Sequence, residues 1–201
     1  MDRRTLLLCG GAAFLSGCSG RWTVDYEDGL NPAVTKNWRP SDILVEIPAE
    51  LSVSNANSYA PNADIVWHGE AFGDRREQVA RIMNEALRLG TQPLKGPRPV
   101  TIEAKLQQFH AVTPAAVARA PAAVHNISYY LQVRDTETGE PLTDTHFIQA
   151  DLEANVGAAA VAAAVEGRGQ RTRIVQHVAR VTQSWLGYGP DQRRSFNSIG
   201  R

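Results

Sequence analysis

The sequence predicts an α+β fold of two layers, a mostly antiparallel sheet with two main helices packed on one face. Three observations predict it: two stretches that alternate apolar and polar residues, two amphipathic helical stripes that flank them, and a glycine-bearing turn that folds the second stretch back as a hairpin. The body they define runs from residue 43 to 187, about 145 residues, enough for one hydrophobic core.

Ile43-Leu44-Val45-Glu46-Ile47 reads as its first strand, with Leu51-Ser52-Val53 continuing the same path after Pro48. Ala63 to His68 reads as a short second strand whose apolar residues fall on both faces, as in a covered position. A helix follows at once. Asp74 and Glu77 have the spacing of a capping box, Val79, Ile82, Met83, Ala86 and Leu87 make one stripe, and Gly90 stands where a C-terminal cap belongs. Arg81, Asn84, Glu85 and Arg88 give this helix a polar outer face, so it lies on a sheet and meets water on its other side.

Val100, Ile102, Ala104 and Leu106 alternate with polar residues, and Ile127, Tyr129, Leu131 and Val133 do the same. The turn residues Asp135 to Glu140 then lead to Leu142–Leu152 as the returning arm. Asn155 to Glu166 is nearly all alanine and valine: the alanines favour a short helix, the flanking glycines and missing stripe a mobile connection, and the helix is the preferred reading, with Gly167-Arg168-Gly169 as a hinge. From Arg171, Ile174, Val178, Val181 and Trp185 form a last stripe opposite Arg173, Gln176, Arg180 and Gln183, and Gly187 ends it.

The first eighteen residues carry a different signal. Arg3 and Arg4 precede an apolar run from Leu6 to Leu15, about half the roughly 20 residues a spanning helix needs. Leu15-Ser16-Gly17-Cys18 resembles the lipobox of bacterial lipoprotein signal peptides. That resemblance implies a diacylglycerol on the Cys18 thiol, cleavage after Gly17, and acylation of the new amino group. Residues 1–17 are then a cleaved signal, and several acyl chains make the attachment stable. Ser19 in place of Asp implies the periplasmic face of the outer membrane over the inner one. Arg3-Arg4-Thr5-Leu6-Leu7 is also similar to a twin-arginine signal, although general secretion is the default route.

Cys9 would leave with the signal and Cys18 would carry lipid, so the mature chain has no cysteine for a disulfide. Residues 18–42, rich in Gly, Pro, Asn and Asp, read as the lipidated cysteine and a flexible tether, whose Trp22, Tyr26 and Trp38 either dock on the body, the preferred reading, or sit in lipid headgroups. About twenty such residues would hold the body roughly 25 Å from the membrane. Residues 188–201 read as a flexible tail. The 21 basic and 21 acidic residues balance, which leaves no overall field to attract nucleic acid.

The run Ala63-Asp64-Ile65-Val66-Trp67-His68-Gly69-Glu70, followed by Gly73-Asp74-Arg75-Arg76 and by the lipobox and the Asp-x-x-Thr-Gly hairpin, resembles an uncharacterised family of small Gram-negative lipoproteins. The order of strand, helix, hairpin and helix is similar to lipoprotein subunits that assist envelope transport machines. No catalytic residue comes with either resemblance.

The five histidines, His68, His110, His125, His146 and His177, stand singly, without metal-ligand spacing, and no nucleophile motif is present. Four groupings merit a place on the structure: the Trp67–Arg76 segment as an anion-holding strand-to-helix turn, His68 with Glu70 as a titrating pair, a zinc site assembled in three dimensions, and Tyr129, Tyr130 and Trp185 as an apolar groove. Burial in the core is the plainer reading for Tyr129 and Trp185. The expectation is a non-enzymatic accessory or scaffold subunit anchored in the envelope, with an envelope protein as partner and no metal or cofactor. The alternatives are a binder or carrier of lipid or another small envelope molecule, and an envelope enzyme.

Overall fold

The computed structural model describes residues 21–199; Gly17, Cys18 and the rest of the lipobox lie outside the described residues. In chain order the elements are β1 (Arg21–Tyr26), α1 (Pro32–Thr35), β2 (Trp38–Glu46), β3 (Val53–Ser54), β4 (Ile65–Val66), α2 (Arg75–Gly90), β5 (Arg98–His110), α3 (Pro114–Arg119), β6 (Ala123–Asp135), β7 (His146–Ala150), β8 (Leu152–Ala154), α4 (Gly157–Val165), α5 (Gln170–Trp185) and β9 (Asn197–Ile199). The strands form one mostly antiparallel open sheet in the order β3-β4-β5-β6-β7-β1-β9, with β2 paired to β5 and β8 to β6.

The antiparallel pair β5 and β6 forms the centre of the sheet. Their registered apolar residues, from Val100 to Leu106 and from Ile127 to Val133, are buried, as the alternation predicts. Phe109 has the opposite parity to Leu106 and is buried too, because a register shift between Leu106 and Gln108 adds one residue and turns Phe109 inward. The other face is polar and wet, with Arg134 on Glu103 (2.8 Å) and Lys105 on Glu46 (3.2 Å).

Two long helices, α2 and α5, cover the inner face. Asp74 caps α2 by accepting the amides of Arg76 and Glu77. Glu77 turns to Arg81 (3.8 Å) instead of closing a capping box. The predicted stripes of both helices are buried, each large apolar side chain contributing about 1.5–3 kcal/mol. Gly90 is the last residue of α2 and not its left-handed cap. It lies where α2 meets α5, and a Cβ there would sit 2.8 Å from the Ala179 carbonyl oxygen and from Thr182 Cβ. Gly187, with φ of 87°, does end α5 as expected.

Four features depart from the sequence reading. Val53 does not continue the path of the first strand. Asp64 accepts the Ser52 amide and hydroxyl (2.7 Å each), which places β3 one strand further out, parallel to β4. Three parallel pairings occur, β2 with β5, β3 with β4 and β4 with β5. β2 and β4 are separated from β5 by α2, and β3 from β4 by the loop over 55–64, so no hairpin signal announces these pairings. Third, the expected flexible tether over 18–42 is corrected from Arg21 onward: β1 pairs with β7 and β9, and Val24, Tyr26 and Trp38 are buried. Its inward pair, Val24 and Tyr26, is too short a pattern to register as a strand, and its partners lie over a hundred residues away. Last, the expected flexible tail over 188–201 is corrected as far as Ile199, since the Arg194 amide donates to Val24 O (2.8 Å) and β9 pairs with β1; residues 200–201 lie outside the described residues. The ordered body is therefore longer at both ends than 43–187.

Asp151 fixes β1 in place. It stands between β7 and β8 and is buried; its Oδ2 accepts the Thr23 amide (3.0 Å) and Gln149 Nε2 (2.8 Å), and its Oδ1 accepts the Ile127 amide (3.1 Å). Two backbone amides at a break in the ladder are thereby satisfied.

Replacing Gly90 by alanine tests the helix contact. Helix propensity alone would favour alanine by about 1 kcal/mol, but overpacking against a backbone oxygen costs about 1–3 kcal/mol. Gly90→Ala is expected to lower stability by about 1–2 kcal/mol in urea unfolding, and a gain would contradict the close approach.

Candidate functional site at the α3 and α4 end of the sheet

The strand directions bring distant segments to one end of the sheet. β6 runs opposite to β5 and β7, and β1 runs opposite to β7. The ends of β4, β5 and β8 therefore meet the beginnings of β1 and β6. There α3 follows β5, α4 follows β8, and α2 and α5 begin. Thr113 caps α3 through the Ala116 amide (3.1 Å), with Pro114 at its first turn. The loop before β4 is tied to α3 by Thr113 Oγ1 to Ser58 O (2.7 Å) and by the Ala115 amide to Asn57 Oδ1 (2.8 Å).

A cavity of about 300 Å³ lies at this end, walled by Val112, Pro114, Val117, Ala160, Ala163 and Ala164. Its polar side chains include His68, His125, Arg168, Gln170 and Arg173, and no carboxylate among the described residues lines it. His125 is fully buried. Its Nδ1 accepts the Val112 amide (3.3 Å), which puts the ring proton on Nε2, and that donor is buried without a partner. Burial, with repulsion from Arg173, His177 and His110, pushes its pKa down to about 3, so the ring is neutral. His68 also leaves Nε2 buried and unpartnered, and burial and Arg75 push its pKa down. Arg173 donates through Nη2 to Glu153 O (2.8 Å), and burial is the main cause that lowers its pKa. Gln170 Nε2 donates to Val112 O (2.9 Å).

The same end carries exposed apolar side chains. Phe72 is 82% and Val165 84% exposed, and Tyr59 and Val161 are more than half exposed. No charged residue interrupts α4 between Gly157 and Val165.

The groupings singled out from the sequence fare differently. Both arginines of the Trp67–Arg76 turn are occupied: Arg76 donates to the carbonyls of Pro48 (2.7 Å), Ala49 (3.0 Å) and Leu51 (2.5 Å), and Arg75 donates to Asn55 (2.8 Å) and Gln78 (2.7 Å). Neither is left to hold an anion there. His68 and Glu70 do not act as a pair, since Glu70 turns to Arg171 (3.3 Å) and Arg81 (3.5 Å). Among the described residues no three His, Cys, Asp or Glu side chains converge as a metal site. Tyr129 and Trp185 are fully buried, and Tyr130 meets Phe147 at a tilt on the opposite face of the sheet (centroids 5.3 Å apart). Nothing in the sequence pattern marks His125 or Gly169 as a site residue. The parity of His125 is that of Ile127 and Tyr129 and places it on the core face. Arg173, predicted on the outer face of the last helix, is half-buried at the cavity.

Residues 38–201 match the model of a family of unknown function, DUF6778. The chain belongs to that family. No curated protein matches the chain. Two solved structures are similar at a distance. One is a PelC dodecamer from Paraburkholderia phytofirmans, at TM-score 0.38 and 9% identity over 84% of this chain and 98% of that one. The other is a candidate lipoprotein from Caulobacter crescentus, at TM-score 0.34 and 10% identity over 78% of this chain and 94% of that one.

The buried histidines set a pH dependence. His177 is buried as well, with its pKa pushed down to about 4 by burial and Arg180. A histidine whose folded pKa is depressed contributes stability that is present above pH 6.5 and lost as pH falls toward the folded value, because the unfolded chain takes up the proton first. At about 1.4 kcal/mol per pH unit, each of His125 and His177 is expected to cost about 2 kcal/mol between pH 6.5 and pH 5. Urea unfolding should show that loss, and His177→Gln should remove about half of it. An unchanged pH slope in the variant would contradict the assignment.

Proposed function

We propose that this protein is a lipoprotein of the cell envelope, anchored through Cys18 on the periplasmic side, with the outer membrane favoured, and that its body is a non-enzymatic accessory module held directly against the lipid surface. One observation carries this reading: β1 begins at Arg21, only three residues beyond the lipobox cysteine, and it begins at the α3 and α4 end of the sheet. Three residues reach at most about 11 Å. An anchor at Cys18 then leaves no room for a 25 Å tether, and the end it brings to the bilayer is the one bearing Tyr59, Phe72, Val161 and Val165. Apolar side chains at a headgroup boundary add to the anchoring of the acyl chains. Exposed Arg119, at the same end, makes no ion pair among the described residues and suits an anionic surface.

An accessory role is supported by the filled interior. Trp67, Phe109, Tyr129 and Trp185 occupy the space between the sheet and the long helices and leave no wide channel for carrying a lipid. No helix among the described residues is long and apolar enough to cross a membrane, so residence would depend on the acyl chains and this apolar end. A partner in an envelope complex would meet the remaining surface.

Environment-sensitive fluorophores on single cysteines at Val165→Cys, Phe72→Cys and Val34→Cys test the arrangement in the lipidated protein on phosphatidylethanolamine and phosphatidylglycerol vesicles. Val34 is exposed on α1, beyond the opposite end of β1. Bilayer-embedded quenchers should quench the labels at 165 and 72 at least twofold more than the label at 34. Equal quenching at all three would sink the docked geometry, and a processed Cys18 without lipid by intact mass would sink the anchor.

A further inference from the structure

We propose that the cavity at the start of α5 binds an oxyanion carried on a short apolar group, a carboxylate or a phosphate ester, with the anion at the helix N-terminus and the apolar part against α3 and α4. This goes beyond anchoring and holds whether or not Cys18 carries lipid.

Four features converge there. The first-turn amides of a helix have no carbonyl of their own helix to bond and form the positive end of its dipole. In α5, a helix of 16 residues, the N-cap is Gly169, which supplies no side chain to accept them. Gln170, the next residue, is turned away to the Val112 carbonyl and does not fold back as a substitute.

The second feature is independent of the helix. His125 is fully buried, lines the same cavity, and carries an Nε2–H with no acceptor. A buried donor left unmet costs about 1–3 kcal/mol, a cost that an acceptor in the cavity would remove once a small shift of the wall opens Nε2, which has almost no accessible surface. His68 Nε2 is buried and unmet as well.

The charge balance is the third. Arg168 and Arg173 line the cavity and no acidic residue among those described does. Arg168 has Glu166 as its ion-pair partner; Arg173 hydrogen-bonds the Glu153 carbonyl and is attracted by the Glu153 carboxylate, while Arg168 and Arg180 oppose its charge more weakly. A bound anion would relieve that repulsion.

Shape is the fourth. Six apolar residues form the walls, and about 300 Å³ is at the small end of ligand sites. At about 30 Å³ for a particle the size of water, it holds on the order of ten heavy atoms. An alkyl chain of about six carbons with its head group fits; a two-chain lipid does not.

Gly169 provides the discriminating substitution. Its φ of −62° suits any residue, and a Cβ there meets nothing within 4 Å. Gly169→Asp should therefore fold, cap α5 from within, and place its own carboxylate where the ligand's would sit. Gly169→Ala changes the backbone without adding charge. Calorimetric titration of the processed full chain with hexanoate, monohexyl phosphate, inorganic phosphate and 1-hexanol reads the result. One or both alkyl anions should bind at least tenfold more tightly than inorganic phosphate or hexanol, and the tighter of the two identifies the head group. Gly169→Asp should weaken that binding at least tenfold while its melting temperature stays level or rises, and Gly169→Ala should stay within threefold of the parent. Absence of saturable heat from both alkyl anions, phosphate alone binding as tightly, or unchanged binding in a folded Gly169→Asp variant would each overturn the proposal.

Discussion

The carboxyl group of Asp151 is the contact on which the arrangement of this protein turns. It stands where the chain leaves β7 for β8, and it bonds one amide of β1 and one of β6. Burial pushes its pKa up although hydrogen bonds from Gln149, Thr23 and Ile127 pull it down. A group that is costly to bury is kept there because the alternative leaves two amides unpaired on the strands that flank β7. Asp151 thus fixes where β1 starts, and with it the point at which the preceding chain enters the body.

From that point the chemistry of one end follows. β8 turns away from Asp151 to pair with the start of β6, and this carries α4 over the end of the sheet. The alanines of α4 let it approach α3 closely, and the turn through Gly167 (φ 70°) brings the chain back into α5. Because the turn ends in Gly169, α5 starts without a side-chain cap, at the cavity that His125 also lines. The exposed valines of α4 and the cavity beneath it are two sides of one short helix: its inner residues wall the cavity, and its outer ones lie at the end where the anchor would enter.

The sequence displayed the elements whose partners lie nearby or whose pattern is long. The β5 and β6 alternations, the 135–140 turn, both helical stripes and the alanine helix are all present as predicted. It hid β1 and β9, which are short and paired with strands remote in sequence, and α3, whose Thr113-Pro114 start precedes too few residues for a stripe. Gly90 illustrates a different limit. A glycine after a helical stripe looks the same whether it permits a left-handed cap or a close helix crossing, and only the position of Thr182 decides between them. The cavity was hidden for the same reason. His125 shares the parity of the core strand residues and reads as ordinary interior until the lack of a partner for its Nε2 is visible.

The central claim is that β1 belongs to the body, so that any anchor at Cys18 enters directly at the α3 and α4 end. Amide hydrogen exchange in the processed chain tests it most directly. The account predicts that the amides of Thr23 and Val24, bonded to Asp151 and to Phe196, are protected to a degree similar to those of β7, and that Asp151→Ala reduces their protection while sparing the β5 and β6 centre. Exchange of residues 21–26 at the rate of an unstructured chain in the parent protein would contradict it.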